Sequence, residues 1–207
     1  MALIKRDQKV EQEKLPSFSS LEEAIMFYEE NEEFDKRSYA LEEMVNFEGG
    51  SQFLVDKLIE HDTHKDTASR IAAILANLDP KVAPIEHVME LLKLSNAYVR
   101  NLGISILQDY GKEIKYYIVK FLIGDDYDLR IFAINVLGDV NFAESREMLI
   151  ELLENEENIN VAMTAVDYMA EIGQPEDVEL LRQVKERFKD ETYATFAIDA
   201  AIEAIEA

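Results

Sequence analysis

The chain of 207 residues contains no cysteine, which removes disulfides, thiolate metal sites and cysteine nucleophiles together and fits a reducing compartment. Tryptophan is also absent, and only four prolines and seven glycines punctuate the sequence. So few breakers suit helices joined by short turns. Basic residues are scarce, with 21 Lys and Arg against 43 Asp and Glu and a formal charge of −22. Such a chain repels a polyanion, so binding driven by nucleic-acid phosphates is not expected. No segment is apolar enough to span a bilayer. At the start, Lys5, Arg6, Asp7 and Lys9 occupy the place where a signal peptide needs an unbroken apolar stretch. A cytoplasmic protein without membrane insertion is therefore expected. With 48% hydrophobic residues the chain has material for a core or an elongated array.

Self-similarity decides the fold class. The pattern is an Arg, a small residue three positions later, and apolar residues four and seven positions later. It fits Arg37/Ala40/Leu41/Met44, Arg100/Gly103/Ile104/Leu107 and Arg130/Ala133/Ile134/Leu137. Weaker copies are Arg70/Ala73/Ile74, where Asn77 takes the last apolar slot, Ala162/Ala165/Val166/Met169 and Ala194/Ala197/Ile198/Ala201. Successive starts differ by 33, 30, 30, 32 and 32 residues. These offsets share one helical face, with the small residue admitting a neighbouring helix. A second apolar-periodic segment follows in each unit: Phe53 to Ile59, Val82 to Leu92, Ile114 to Ile123, Ala143 to Leu153 and Val178 to Phe188. Two helices in about thirty residues cannot bury their apolar faces alone and must stack on neighbours.

Ser20 and Glu23 form a candidate capping box ahead of the stripe Leu21, Ala24, Ile25 and Tyr28, a predicted N-terminal capping helix. Residues 1–18 show no clear periodicity and are expected to form a flexible tail, with residues 19–207 as one repeat domain. At the far end Ile198, Ala201, Ile202 and Ile205 make the stripe of an unpaired first helix that closes the stack.

Asp128-Leu129-Arg130 leading to Val136-Leu137-Gly138-Asp139, with Asp79-Pro80-Lys81-Val82-Ala83-Pro84, resembles the short HEAT repeats of the phycobilisome-lyase type, over roughly residues 36–207. Tetratricopeptide repeats share the period, but their Trp-Leu-Gly-Tyr pattern is missing, and the Thr-Pro-Leu-His turn of ankyrin does not occur. The resemblance implies an all-α fold, a right-handed α-α superhelix (HEAT-like solenoid) of about five helix pairs plus terminal capping helices. It also implies that second helices line a concave surface. Ala162 and Ala194 depart from the pattern by replacing the arginine. Nine residues after each arginine-equivalent position stand Asn46, Asp79, Asp109, Asp139, Glu171 and Glu203. An acid at a helix C-terminus opposes the macrodipole, so these are expected to cap the next helix or to pair with Arg100 and Arg130.

Little in the sequence points to catalysis. His61, Asp62 and His64 are the one local cluster with ligand-like side chains, in a turn that lacks a clear third and fourth ligand, so exposed loop histidines are expected. His87 is expected to pack at a helix interface. HEAT-repeat deoxyhypusine hydroxylases hold di-iron with several His-Glu dipeptides, and this chain has none. Gly-rich phosphate loops and nucleophile elbows are also missing, and Phe47-Glu48-Gly49-Gly50-Ser51 reads as an inter-helix turn. No enzyme activity, cofactor or metal is expected.

Two surfaces are candidates for binding. Lys112, Tyr116 and Lys120 share one face of a second helix, opposite Ile114, Ile118 and Phe121, and an exposed Tyr between two Lys can anchor a partner. The alternative is that Tyr116 packs on the adjacent helix. Glu144, Glu147, Glu151 and Glu154 line the next second helix at spacings of three, four and three, either as a solvated face or as a docking face for basic residues. The expected function is a non-catalytic interaction scaffold that engages another protein, a basic segment suiting its charge, on the concave face. The alternative, implied by the resemblance, is an accessory or chaperone subunit of a bilin-lyase-like, cofactor-attaching enzyme. Nucleic-acid binding, as in HEAT-type DNA glycosylases, would need a Lys- and Arg-lined concavity, and the bases here are scattered.

Overall fold

The computed structural model describes residues 15–60, 63–140 and 144–207. Among the described residues all regular structure is helical, twelve α-helices with three short 3-10 turns. Most of the expected tail lies outside the described residues, as do His61 and Asp62. The chain divides into two compact units at Gly50/Ser51.

The first unit holds the helices α1 (Leu21–Glu30) and α2 (Phe34–Met44), packed against each other. The Ser20 hydroxyl accepts from the Glu23 N–H at 3.3 Å, while the Glu23 carboxylate accepts from the Ser19 N–H at 2.8 Å, one residue earlier than a strict capping box. Tyr28 is buried, and the Arg37 guanidinium lies 4.1 Å from its ring centroid.

The second unit is built in two layers. The first helices of the repeats, α4 (Lys65–Ala76), α6 (Ala97–Asp109), α8 (Tyr127–Asp139), α10 (Ile159–Ile172) and α12 (Thr192–Glu206), pack one on the next in chain order. The second helices are α3 (Gly50–Ile59), α5 (Ile85–Glu90), α7 (Lys115–Leu122), α9 (Glu144–Asn155) and α11 (Val178–Arg187). Each of α5, α7, α9 and α11 packs against the first helix that follows it. The small residues Gly103, Ala133 and Ala165 are buried where the layers approach, and a Cβ on Gly103 would lie 2.8 Å from Leu91 Cβ. The apolar positions of the pattern on α8 and α10 are buried too: Ile134, Leu137, Val166 and Met169.

Three of the first helices start alike. Asn96, Asp126 and Asn158 each accept from the backbone N–H groups two and three residues on, satisfying orphan donors of the first turn. Four residues later stands the repeat arginine, or Ala162 in the third case. Arg100 reaches back to the Leu94 carbonyl at 2.8 Å, and Arg130 to the Gly124 carbonyl at 2.6 Å. Both acceptors lie just past the end of the preceding second helix, where a cation complements the macrodipole.

Several expectations need correction. In the second repeat the buried small residue is Ala72, with Ala68 and Leu75, while Ala73 is exposed; its register runs one residue earlier, with Ser69 in the arginine position. Asn77 occupies no core slot, because it ends α4 and its amide donates to the Ala73 carbonyl at 2.7 Å. Val82 is exposed in a turn, and helix α5 starts only after Pro84, a residue that disfavours helix for its predecessor. The acids nine residues past the arginine pair with neither Arg100 nor Arg130. Asp79 instead accepts from the Lys81 N–H at 3.0 Å, and Asp139 accepts from the Gln108 amide at 2.8 Å.

Candidate functional site

Helix α7 is entered through a 3-10 turn, Gly111–Ile114, at which Gly111 takes a positive φ of 55°. Ile114, Ile118 and Leu122, four apart, are buried, and that spacing turns Lys112, Tyr116 and Lys120 to the opposite side. Tyr116 is 81% exposed, so packing on the adjacent helix does not occur. Lys112 is exposed and makes no ion pair among the described residues. Lys120 reaches Glu86 of α5 at 3.4 Å in a solvent-exposed pair. The exposed face carries more apolar surface than the sequence suggested, since Val119 and Ile123 join Tyr116 there and Ile123 is 78% exposed. In the sequence Ile123 closes the apolar-periodic segment that begins at Ile114. It falls one residue past α7, and its spacing of seven from Tyr116 was the available signal.

On α9, Leu149 and Leu153 are fully buried, and Glu144, Glu147, Glu151 and Glu154 are exposed. The four do not share one environment. Glu144 accepts from Lys115 of α7 at 2.6 Å, a bond that holds its carboxyl below the usual carboxylate range and raises the lysine. This exposed pair joins the two candidate surfaces. Glu147, Glu151 and Glu154 have no ion pair among the described residues. Arg146, the cation beside them in sequence, points elsewhere: its guanidinium is held by both Asp177 oxygens at 2.7 Å and by Glu176 at 3.0 Å. Asp177 is itself fixed by the Gln174 N–H at 2.8 Å, so Arg146 is a strut between α9 and the turn before α11.

Two further arginine links join residues distant in sequence. Arg130 forks onto Glu156 at 2.9 and 3.2 Å, tying α8 to the segment after α9. Where Ala162 has replaced the repeat arginine, Arg187 at the end of α11 takes over the same duty. It donates to the carbonyls of Leu153, Glu154 and Glu156 at 2.8, 2.7 and 2.8 Å, covering the C-terminus of α9. These bonds are structural and leave the free α9 carboxylates untouched.

Of the histidines, His87 is exposed rather than packed, with Nε2 3.5 Å from Asp56 of α3. His64 is exposed at the start of α4. Among the described residues no three His, Asp or Glu side chains converge in a way that could hold a metal ion. No helix among them is long and apolar enough to cross a membrane.

Part of the array of helix pairs matches a known repeat family. A family model of HEAT repeats matches residues 117–206. The matched stretch runs from within α7 to the end of α12, and it supports a HEAT-repeat reading there. No curated protein matches the chain. Twelve solved chains do, among them the crystal structure of an engineered protein, 17% identical, with a TM-score of 0.43, over 90% of this chain and 96% of that one.

Proposed function

We propose that this chain is a non-catalytic scaffold whose second helices α7 and α9 receive a basic segment of a partner protein. HEAT repeats generally mediate protein–protein interaction, which supports the broader part of the reading. The observation that carries the finer part is the row of three unpaired carboxylates, Glu147, Glu151 and Glu154, on a helix linked through Lys115 to the one bearing exposed Tyr116. Like charges at such spacing cost a helix a few tenths of a kcal/mol each, and incoming lysines or arginines would relieve that repulsion. Tyr116 offers a large side chain that loses little entropy on burial, the kind of residue that anchors interfaces. In the resembled repeats this layer lines the concave surface.

The test is affinity capture from the native host with the wild-type chain and with Glu147→Lys/Glu151→Lys. Neither side chain is buried, so far-UV circular dichroism should be unchanged. Rim charges steer encounter, so association should slow by about tenfold or more in the variant, and wild-type association should fall with added salt. Equal capture by both proteins, with the same salt response, returns the stripe to a solvated surface. A visible absorption spectrum of the purified protein, with and without added tetrapyrrole, separates this reading from an accessory role in bilin attachment.

A further inference from the structure

On the other flank of α7 a cleft of about 390 Å³ opens between α5, the 3-10 turn Leu91–Lys93 and the start of α8. Its apolar lining is Met89, which is buried, with half-buried Tyr117, Phe121 and Leu129. The volume lies near the lower end of the range for ligand pockets, about 300–1,000 Å³.

The rim holds four carboxylates, Glu86, Glu90, Asp125 and Asp126, and two ammonium groups, Lys93 and Lys120. Three of the acids are occupied. Glu86 meets Lys120 at 3.4 Å, and Glu90 holds Lys93 at 2.7 and 2.8 Å, with the ammonium 5.6 Å from the Phe121 ring centroid. Asp126 caps α8 through the N–H groups of Asp128 and Leu129 at 2.9 and 3.2 Å. Asp125 is exposed at the cleft mouth and makes no hydrogen bond or ion pair among the described residues. The N-terminus of α8 contributes about half a positive charge. That is smaller than the net charge of the rim, four acids against two bases.

We infer that this cleft is an anchor socket for a basic peptide segment of a partner protein, taking an apolar side chain against its apolar lining and an adjacent Arg or Lys at Asp125. The inference rests on the reading of the chain as a binder of basic protein segments, and it places a second point of attachment beside the α7–α9 face. Charge complementarity selects this occupant: an acidic segment or a free anion would meet the uncompensated rim, and a purely apolar one would leave Asp125 unpaired. A guanidinium at Asp125 forms an exposed pair, so discrimination comes mainly from the apolar side chain buried beneath it.

The test is a titration of the full, ¹⁵N-labelled chain with a synthetic octapeptide carrying one Leu-Arg pair in a Gly/Ser background, followed by amide chemical shifts. Expected are shifts at Phe121, Asp125 and Leu129, with about threefold weaker binding when the peptide's Arg becomes Gln, from the worth of an exposed pair. Replacing its Leu by Ser should weaken binding by about tenfold, from the area it buries. Asp125→Asn should reproduce the loss seen with the Gln peptide and give no further loss with that peptide. Glu147→Lys/Glu151→Lys should leave the cleft shifts in place. If the peptide shifts only α9 amides and Asp125→Asn changes nothing, the socket is refuted while the basic-partner reading stands. Absence of any shift at millimolar peptide overturns the socket outright, and whether α7 and α9 bind a native partner is then answered by the capture experiment alone.

Discussion

Replacing Arg130 by Met removes three hydrogen bonds at once: the fork onto Glu156 at 2.9 and 3.2 Å and the bond to the Gly124 carbonyl at 2.6 Å. The Glu156 side chain is only 7% exposed, so its carboxylate would be left with the Asn158 N–H at 2.7 Å as its one remaining partner. Breaking a buried pair from one side costs about 3–5 kcal/mol, because the surviving charge stays desolvated. Arg130 is 16% exposed and water can reach part of the site, so the lower end, about 3 kcal/mol, is expected. Arg130→Met/Glu156→Gln removes that stranded charge, and its cost should fall short of the summed single costs by about 1.5 kcal/mol or more. Urea unfolding followed by far-UV circular dichroism gives the free energies. Amide exchange in α8 and α10 reports whether the loss is local to that part of the array. A cost below about 1 kcal/mol for Arg130→Met, or additivity within about 0.5 kcal/mol, would refute the idea that this fork ties α8 to the segment after α9.

Two smaller experiments probe other parts of the scaffold. Glu144 should titrate below the ordinary carboxylate range, because Lys115 donates to it, and Lys115→Met should return its midpoint upward in a carboxyl-detected NMR titration. Since the folded value is the depressed one, the pair's contribution is present above the unfolded carboxylate range and is lost as pH falls through the folded midpoint. Gly138→Ala should destabilise despite the better helix propensity of Ala, since a Cβ there would run into the Tyr168 ring. Overpacking of this kind costs about 1–3 kcal/mol. In a Tyr168→Ala background the same change should become neutral or stabilising, and a persistent loss there would rule out the ring as the cause.

The helix pairs were legible because the repeat pattern is local: an arginine, a small residue and apolar residues at fixed offsets define one helical face without knowledge of the neighbour. Register failed where that logic is degenerate. In Ala72-Ala73 either alanine fits the small position, and only packing selects Ala72. Exposure of Val82 was hidden because it lies in the turn ahead of α5, outside the helix whose apolar period it continues. The candidate surface was partly readable. Tyr116 and Lys120 on α7, Lys112 in the 3-10 turn before it and the α9 glutamates are all exposed. Which carboxylates are free was not readable, because Lys115–Glu144 and Arg146–Asp177 join residues about thirty positions apart. The Asx caps at Asn96, Asp126 and Asn158 could have been found, as they stand four residues before the repeat starts at Arg100, Arg130 and Ala162. The cleft between α5 and α7 depends on the placement of two helices and has no sequence signature.

The source of the arginine differs along the array, and this sets where the chain can be edited. Around Arg100 and Arg130 each first helix carries the group that fastens the second helix just before it. A cut or duplication at such a junction, made before α5 or before α7, moves helix and fastener together. From α9 onward the fastener is lent backward, from Arg187 in α11 to the end of α9, across the whole of α10. Helices α9 to α11 therefore form a block that cannot be shortened by one repeat without uncovering the carbonyls of Leu153 and Glu154. Repeat-swapped chimaeras of this protein should tolerate joints before α7 and fail at joints inside that block.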